Sequence, residues 1–550
     1  MIDFIKLIKE KKLKDVKNLS ALFESLDRQT SHIELRPVQR KALQMLSDRR
    51  GDRDLILKIS TGSGKTTVAL LYLLSFMEEY KEPVVYLCLT RQLLEQVYAE
   101  SLKLGIKSVI YPAGESFPPV DGTTADAIII CTYNKLFNAK TTFDRPDVML
   151  RPSAFVLDDA HAGIEVIRDS FTLSILDEDF RDKLLRIFDE PCRSYNFGTW
   201  QDIKEGRQEV SLEIPFWIWK PCLPEIDKTI SEYVDDLPYN FVIPYIRDVL
   251  RWCRCVVSYK GIEIIPDVLP IHKSNAFIKA KHRLFMSATL ADDSILVREL
   301  GCDISAAEKP ILPPNDRGLG ERMVLAPSLV HKNLNREWVM NLCSILSGKV
   351  RVVVLSPSEQ MAREWEGFGG EVFMGDDVAD GVEKLKNIAS TLNFSVFAQR
   401  YDGIDLPDNS CRVLVIDGMP LGGGIIDKHE SSLMGIVGGT RNRLVYRIEQ
   451  GMGRAVRSHA DYAVILLVGP ELAHFIAKHD VLSVMNPDTQ AQLRLAIELA
   501  RLAIEDVQPD TAVIDIYLNV LIEMKVGSNI TMKQLEVLKK LPKVLLIRVA

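Results

Sequence analysis

Along most of the chain, short runs of consecutive apolar and often β-branched residues alternate with longer segments in which apolar positions recur every three or four residues. Runs of the first kind suit strands buried on both faces, and segments of the second kind suit the helices that cover them. The alternation occupies two separate stretches. In the first, strands are expected at 55–59, 84–89, 127–131, 155–157 and 283–286; in the second, at 350–355, 395–398, 412–416 and 462–468. The fold class read from this is α/β, with two parallel-sheet lobes flanked by helices. Between about residues 163 and 279 the alternation lapses. Trp200, Trp217, Trp219 and Trp252, four of the six tryptophans, fall there, so the stretch reads as a subdomain inserted into the first lobe, its aromatics more often core than base-stacking surface. Beyond about residue 476 the pattern is helical. Apolar residues run on to Val549 and Ala550, an unpunctuated end that points to a longer natural chain. The expected layout is an N-terminal helical segment (1–35), a first lobe (36–162 plus 280–310), the insertion (163–279), a second lobe (311–475) and a helical C-terminal segment (476–550).

Composition narrows the class without changing this picture. At 550 residues the chain exceeds what one hydrophobic core organises, and 47% hydrophobic with 26% charged residues excludes disordered and collagen-like classes. A net charge of −7 means that any grip on a polyanion must come from a local basic groove. The nine cysteines are scattered, several inside apolar runs such as Leu87-Cys88-Leu89, and read as reduced thiols of a cytoplasmic protein. Lys6, Lys9, Lys11, Lys12 and Lys14 interrupt the apolar residues of the N-terminus, which fits a solvated helix face and not a signal peptide. No apolar stretch is as long as a membrane span, so no membrane partner is expected.

The chemistry enters with Ile59-Ser60-Thr61-Gly62-Ser63-Gly64-Lys65-Thr66, which follows a strand and opens a helix. A loop of this kind wraps backbone N–H groups around phosphates: Thr61, Gly62, Ser63, Gly64 and Thr67 belong to the cradle, Lys65 reaches the β and γ phosphates, and Thr66 offers a hydroxyl to Mg²⁺. ATP and Mg²⁺ are the implied ligands. Phe155-Val156-Leu157-Asp158-Asp159-Ala160-His161 is an apolar strand ending in carboxylates, with Asp158 on the metal side and Asp159 as the base that activates water.

These two motifs together resemble the superfamily 2 DEAD/DEAH-type helicases, whose lobes are RecA-like. Departures are Ile59 in place of the first loop glycine, which that superfamily commonly shows, and Asp159 in place of the usual glutamate, one methylene shorter. The resemblance extends to Gln39, placed where the superfamily keeps an adenine-reading glutamine, and to Ser287-Ala288-Thr289, whose hydroxyls Ser287 and Thr289 would link the ATP and nucleic-acid sites. In the second lobe, Gln399 to Asp408, with Gly403 and Asp405, resembles motif V of the XPD/DinG group. Gln450-Gly451-Met452-Gly453-Arg454-Ala455-Val456-Arg457 is similar to its motif VI. The resemblance implies that Gln450, Arg454 and Arg457 complete the site when the lobes meet, and that Thr90, Arg91, Thr132, Tyr133 and Ser356 serve strand contact or coupling. Relatives often carry four cysteines holding an iron–sulfur cluster, whereas only Cys131 lies between residues 93 and 158, so no iron–sulfur cluster is expected. Cys192, Cys222, Cys253 and Cys255 could in principle form a Cys₄ site, but structural zinc normally uses paired close spacings and only the pair Cys253 and Cys255 is present.

The expected activity is an ATP-driven helicase or translocase on single-stranded or tailed DNA, with RNA as the alternative polymer. The competing reading is a nucleotide-gated clamp that positions a partner effector. Genes of this shape also stand beside nucleases in antiviral defence loci, so a nuclease partner, or a role in DNA repair, belongs to the same expectation by analogy alone.

Overall fold

A computed structural model describes residues 15–505, apart from 30–33, 61–62, 149, 209, 288–292, 315–320, 331, 376, 388, 400, 402–405, 407, 434–437 and 457–460. Two six-stranded sheets, every paired strand parallel, form two α/β lobes. In the first lobe, β1 (Asp54–Lys58), β2 (Val84–Cys88), β3 (Ser108–Ile110), β4 (Ile128–Thr132) and β5 (Ala154–Leu157) precede the insertion. The insertion supplies β6 (Leu173–Ile175), β7 (Ser211–Glu213), β8 (Cys253–Ser258) and β9 (Gly261–Pro266), after which β10 (His282–Ser287) returns to the lobe. Its strand order is β1-β10-β5-β2-β4-β3.

The helix Lys65–Tyr80 is buried on all sides from Thr67 to Met77, as its nearly uninterrupted apolar sequence requires, and so fixes the phosphate loop to the centre of the lobe. Arg283 on β10 is wholly buried. Its Nε donates to Asp54 Oδ1 at 2.7 Å and its Nη2 to the Gly301 carbonyl at 2.7 Å, locking β10 beside β1. Removing one partner of a buried pair of this kind costs about 3–5 kcal/mol. The register then aligns strand ends: Lys58 pairs with Ser287, and Leu87 with Leu157. Three motifs are thereby brought to one carboxyl edge, where parallel sheets bind ligands.

The second lobe contains β11 (Glu321–Leu325), β12 (Val352–Ser356), β13 (Glu371–Phe373), β14 (Phe394–Ala398), β15 (Val413–Asp417) and β16 (Tyr462–Val468), in the order β11-β16-β15-β12-β14-β13. Within the two lobes, three strands, β3, β11 and β13, are additional to those the apolar runs predict, and all three lie at sheet edges. Edge strands carry polar residues such as Ser108, Arg322 and Glu371, which hide them from a search for fully apolar runs.

The insertion is a four-stranded antiparallel sheet, β6-β9-β8-β7, packed against the helices Glu178–Lys204 and Phe216–Ser231. Trp200 and Trp219 are in its core, while Trp217 and Trp252 are exposed. The tryptophans therefore divide between core and surface. Although the insertion springs from the first lobe, its sheet docks on the second-lobe helix Ile425–Ser432. Val256 and Ile265 pack on Ile425 and Ile426, the Ile426 N–H donates to Glu263 at 2.9 Å, and Ser211 Oγ lies 2.9 Å from His429 Nδ1.

Candidate active site

Gly64 begins the phosphate-loop helix in a left-handed conformation (φ 83°), and a Cβ there would stand 2.1 Å from Gln39 Nε2, so the position has both the backbone and the space of a glycine. Gln39 joins two elements. Its Nε2 donates to the Gly64 carbonyl at 3.1 Å, and its Oε1 accepts from the Arg36 N–H at 2.8 Å, capping its own helix. Both ends of the amide are thus engaged with protein, and Gln39 acts here as a brace behind the loop. Lys65 and Thr66 open the helix, whose first N–H groups have no intrahelical acceptor. The Thr67 hydroxyl is turned inward, 3.4 Å from Glu100 Oε1, which leaves its backbone N–H as its means of reaching a phosphate.

Asp158 follows β5, its N–H bonded to the Leu87 carbonyl at 3.1 Å. Tyr86, buried on β2, donates its hydroxyl to Asp158 Oδ2 at 3.1 Å and is also hydrogen-bonded with Thr66. No sequence motif flagged Tyr86; only its place on the strand beside β5 shows its role. Burial pushes the Asp158 carboxyl above the ordinary range, and the Lys65 ammonium pulls it part of the way back. A hydroxyl and a carboxylate gathered on one phenol, with the carboxylate charge only partly offset by Lys65, form a hard-oxygen donor set that fits Mg²⁺. Thr66 and Asp158 would hold it.

Asp159 caps the helix Ala160–Ser170 with positive φ (50°), which throws its side chain out of the helix line toward the other lobe. There its Oδ1 accepts from Tyr446 Oη at 2.7 Å and from Gln450 Nε2 at 3.4 Å. Gln450 Nε2 also donates to Tyr446 Oη at 2.7 Å, while its Oε1 accepts from Arg454 Nη2 at 2.8 Å. Arg454 is buried, and its Nε donates to the Tyr401 carbonyl at 3.0 Å. A second contact crosses the lobes where Arg447 Nη2 lies 3.2 Å from Glu165 Oε2. Behind the site, Lys58 Nζ pairs with Asp293 at 2.8 Å and His161 Nε2 lies 3.5 Å from the same carboxylate, joining β1, the helix after Asp159 and the segment after β10. Ser287 is buried at the end of β10, where its carbonyl accepts from the Ile59 N–H at 3.1 Å.

Two of the residues expected to serve strand contact or coupling are buried. Tyr133 is fully buried and donates its hydroxyl to the Asp158 carbonyl at 2.9 Å, while Ser356 is buried with its hydroxyl 3.3 Å from Asp417 Oδ2. Neither side chain has surface to offer a strand: Tyr133 braces the end of β5 at Asp158, and Ser356 lies against a buried carboxylate that pairs with Arg336. Thr90 caps the helix Arg91–Lys103 through the Leu93 N–H at 3.3 Å, Arg91 is exposed, and Thr132 is partly exposed after β4. Thr61, Gly62, Thr289, Gly403, Asp405 and Arg457 lie outside the described residues. Among the described residues no three His, Cys, Asp or Glu side chains converge as metal ligands, and no helix is long and apolar enough to cross a membrane.

The family model for the type III restriction enzyme res subunit matches residues 32–212, and that for the helicase C-terminal domain matches residues 359–487. No curated protein matches the chain. Among solved structures, an XPD helicase is similar over 84% of this chain and 99% of its own, with 15% identity and a TM-score of 0.52. The Xpd4 protein of S. tokodaii covers 81% and 99% at 17% identity with a TM-score of 0.49. The DUF1998 helicase MrfA, bound to DNA and AMPPNP, covers 89% and 56% at 14% identity with a TM-score of 0.42. Both lobes thus match family models of helicase domains, and the fold is similar to that of an XPD helicase. The matched domains are those of a helicase-type ATPase.

Proposed function

We propose that the protein is a nucleic-acid-stimulated ATPase that moves along single-stranded DNA and unwinds tailed duplexes. The observation that carries this reading is the meeting of Asp159 with Tyr446 and Gln450, because it brings an acid of the nucleotide lobe under the control of the other lobe. In this mechanism the backbone of the phosphate loop and the Lys65 ammonium hold the phosphates of ATP. Magnesium, when bound at Thr66 and Asp158, offsets the charge of the β and γ phosphates. Asp159 takes a proton from the attacking water, and Arg454 and Arg457 neutralise charge that develops on the transferred group. Turnover then changes how the lobes meet, and a strand lying across both is drawn along.

The DNA preference rests on the XPD/DinG type of the second lobe. A role in defence beside a nuclease draws support from the match of residues 32–212 to a restriction-enzyme subunit, and a role in repair from the analogy alone. The free thiols of all nine cysteines, eight of them buried, fit a reducing cytoplasm. Strand displacement on duplexes with tails of either polarity, made of DNA or RNA, tests the proposal. ATP-dependent displacement from a DNA tail is expected. Strand-stimulated turnover without displacement on any substrate would favour the nucleotide-gated clamp instead.

A further inference from the structure

We infer that Tyr446 is a positioning residue for ATP hydrolysis, a second-lobe hydroxyl that fixes the first-lobe base. The inference rests on the reading of Asp159 as that base. Tyr446, Gln450 and Arg454 follow one another at intervals of four residues, so they line one face of the helix Gly438–Met452 and the turn after it. The ladder ends on Asp159. Tyr446 Oη donates to Oδ1 at 2.7 Å, shorter and more direct than the 3.4 Å contact from Gln450, which in turn bonds the same phenol at 2.7 Å. The phenol ring sits 5.9 Å from the ring of His161, two residues beyond the acid.

An aspartate with an unsupported side chain on a left-handed cap would sample several rotamers. With Oδ1 held from across the cleft, one orientation is selected and Oδ2 is left to face water. The shorter reach of aspartate relative to glutamate makes this selection more consequential, since a general base acts only within hydrogen-bond reach of the proton it removes. The contact also supplies a dependence on lobe apposition that the base alone lacks: the acid is correctly placed only when the second lobe is against it. Burial and the neighbouring Asp159 charge push the Tyr446 phenol well above its ordinary value, so it remains a donor throughout the working range.

The test is a double-mutant cycle between Tyr446→Phe and Asp159→Asn in the full chain. The readouts are strand-stimulated kcat and KM for ATP, with binding of a fluorescent ADP analogue and the melting temperature as checks of folding. Tyr446→Phe keeps the ring and should lower kcat about tenfold, the value of one hydrogen bond to a charged group, while KM and ADP binding stay within about twofold. In the Asp159→Asn background the same change should lower the residual kcat less than twofold, because the acid it serves is gone. An equal loss in both backgrounds would assign Tyr446 a structural role, and an unchanged or raised kcat on its own would also overturn the inference. Near-normal turnover by Asp159→Asn alone would instead overturn the assignment of the base, and with it the reading on which the inference rests.

Discussion

Arg254 of the insertion and Glu430 of the second lobe are ion-paired, Nη1 to Oε1 at 2.6 Å, although Arg254 is covalently rooted in the first lobe. Glu213 engages the other edge of the same guanidinium at 2.8 and 3.0 Å, and Arg443 pairs with Glu430 from the second lobe. The insertion is thus tied to both lobes, and any motion that parts them loads this junction.

Arg254→Ala should loosen the insertion from the second lobe. Glu430 is buried but keeps Arg443, so the cost should be that of a charged hydrogen bond, about 1.5–3 kcal/mol, and not that of an orphaned charge. Limited proteolysis should cut the insertion faster than in the wild type while basal ATPase is retained, because every assigned ATP-contacting residue lies outside it. Unchanged proteolysis and melting temperature would show that the pair does not hold the junction.

Tyr133→Phe should reduce stability by about 1 kcal/mol through the lost bond to the Asp158 carbonyl. The salt dependence of single-strand binding should not change. A shallower salt slope or a large loss of strand affinity would return Tyr133 to the strand-contact residues.

The sequence carried the motifs and the central strands because both are written in consecutive residues: Gly64-Lys65-Thr66 and Asp158-Asp159 are read in one glance, and β16 matches the apolar run 462–468 at both ends. The partners of these residues were not legible. Tyr86 reaches Asp158 from a strand 72 positions away, and Tyr446 reaches Asp159 across 287 positions, so only the sheet order and the lobe contact create them. The burial of Tyr133 was not legible for a related reason, since it depends on Gly163, where a Cβ would stand 2.5 Å from the tyrosine ring. The docking of the insertion on the second lobe had no signature at all, because Glu263 and Glu430 look like ordinary surface acids in the chain.

His282 should make the first lobe acid-sensitive. Its ring stacks on Phe76 at 4.0 Å, its Nε2 lies 3.1 Å from Tyr80 Oη, and its burial pushes the imidazole below its ordinary value. A group whose pKa falls on folding adds stability that is present above the unfolded value and lost as pH drops below it. Between about pH 7 and about pH 5 the wild type should therefore lose more melting temperature than His282→Phe, which keeps the stack without the titration. Equal losses would remove His282 as the source.

Binding to single-stranded DNA should weaken steeply with salt, since a protein of net charge −7 must hold phosphates through a local groove. Each neutralised phosphate contributes about −0.7 to the slope of log affinity against log salt. Fluorescence anisotropy of a labelled oligonucleotide across a salt series measures it, and an affinity independent of salt would contradict a phosphate-gripping groove.

The most direct measurement of the central claim is steady-state ATP turnover, with and without single-stranded DNA, by the wild type and by Lys65→Ala. The lysine is the one cation in the sequence of the loop, and its ammonium acts on the Asp158 carboxyl. The account predicts that the strand stimulates the wild type and that Lys65→Ala turns over at background whether or not the strand is present. Turnover by Lys65→Ala within about threefold of the wild type would contradict an ATP site between these lobes.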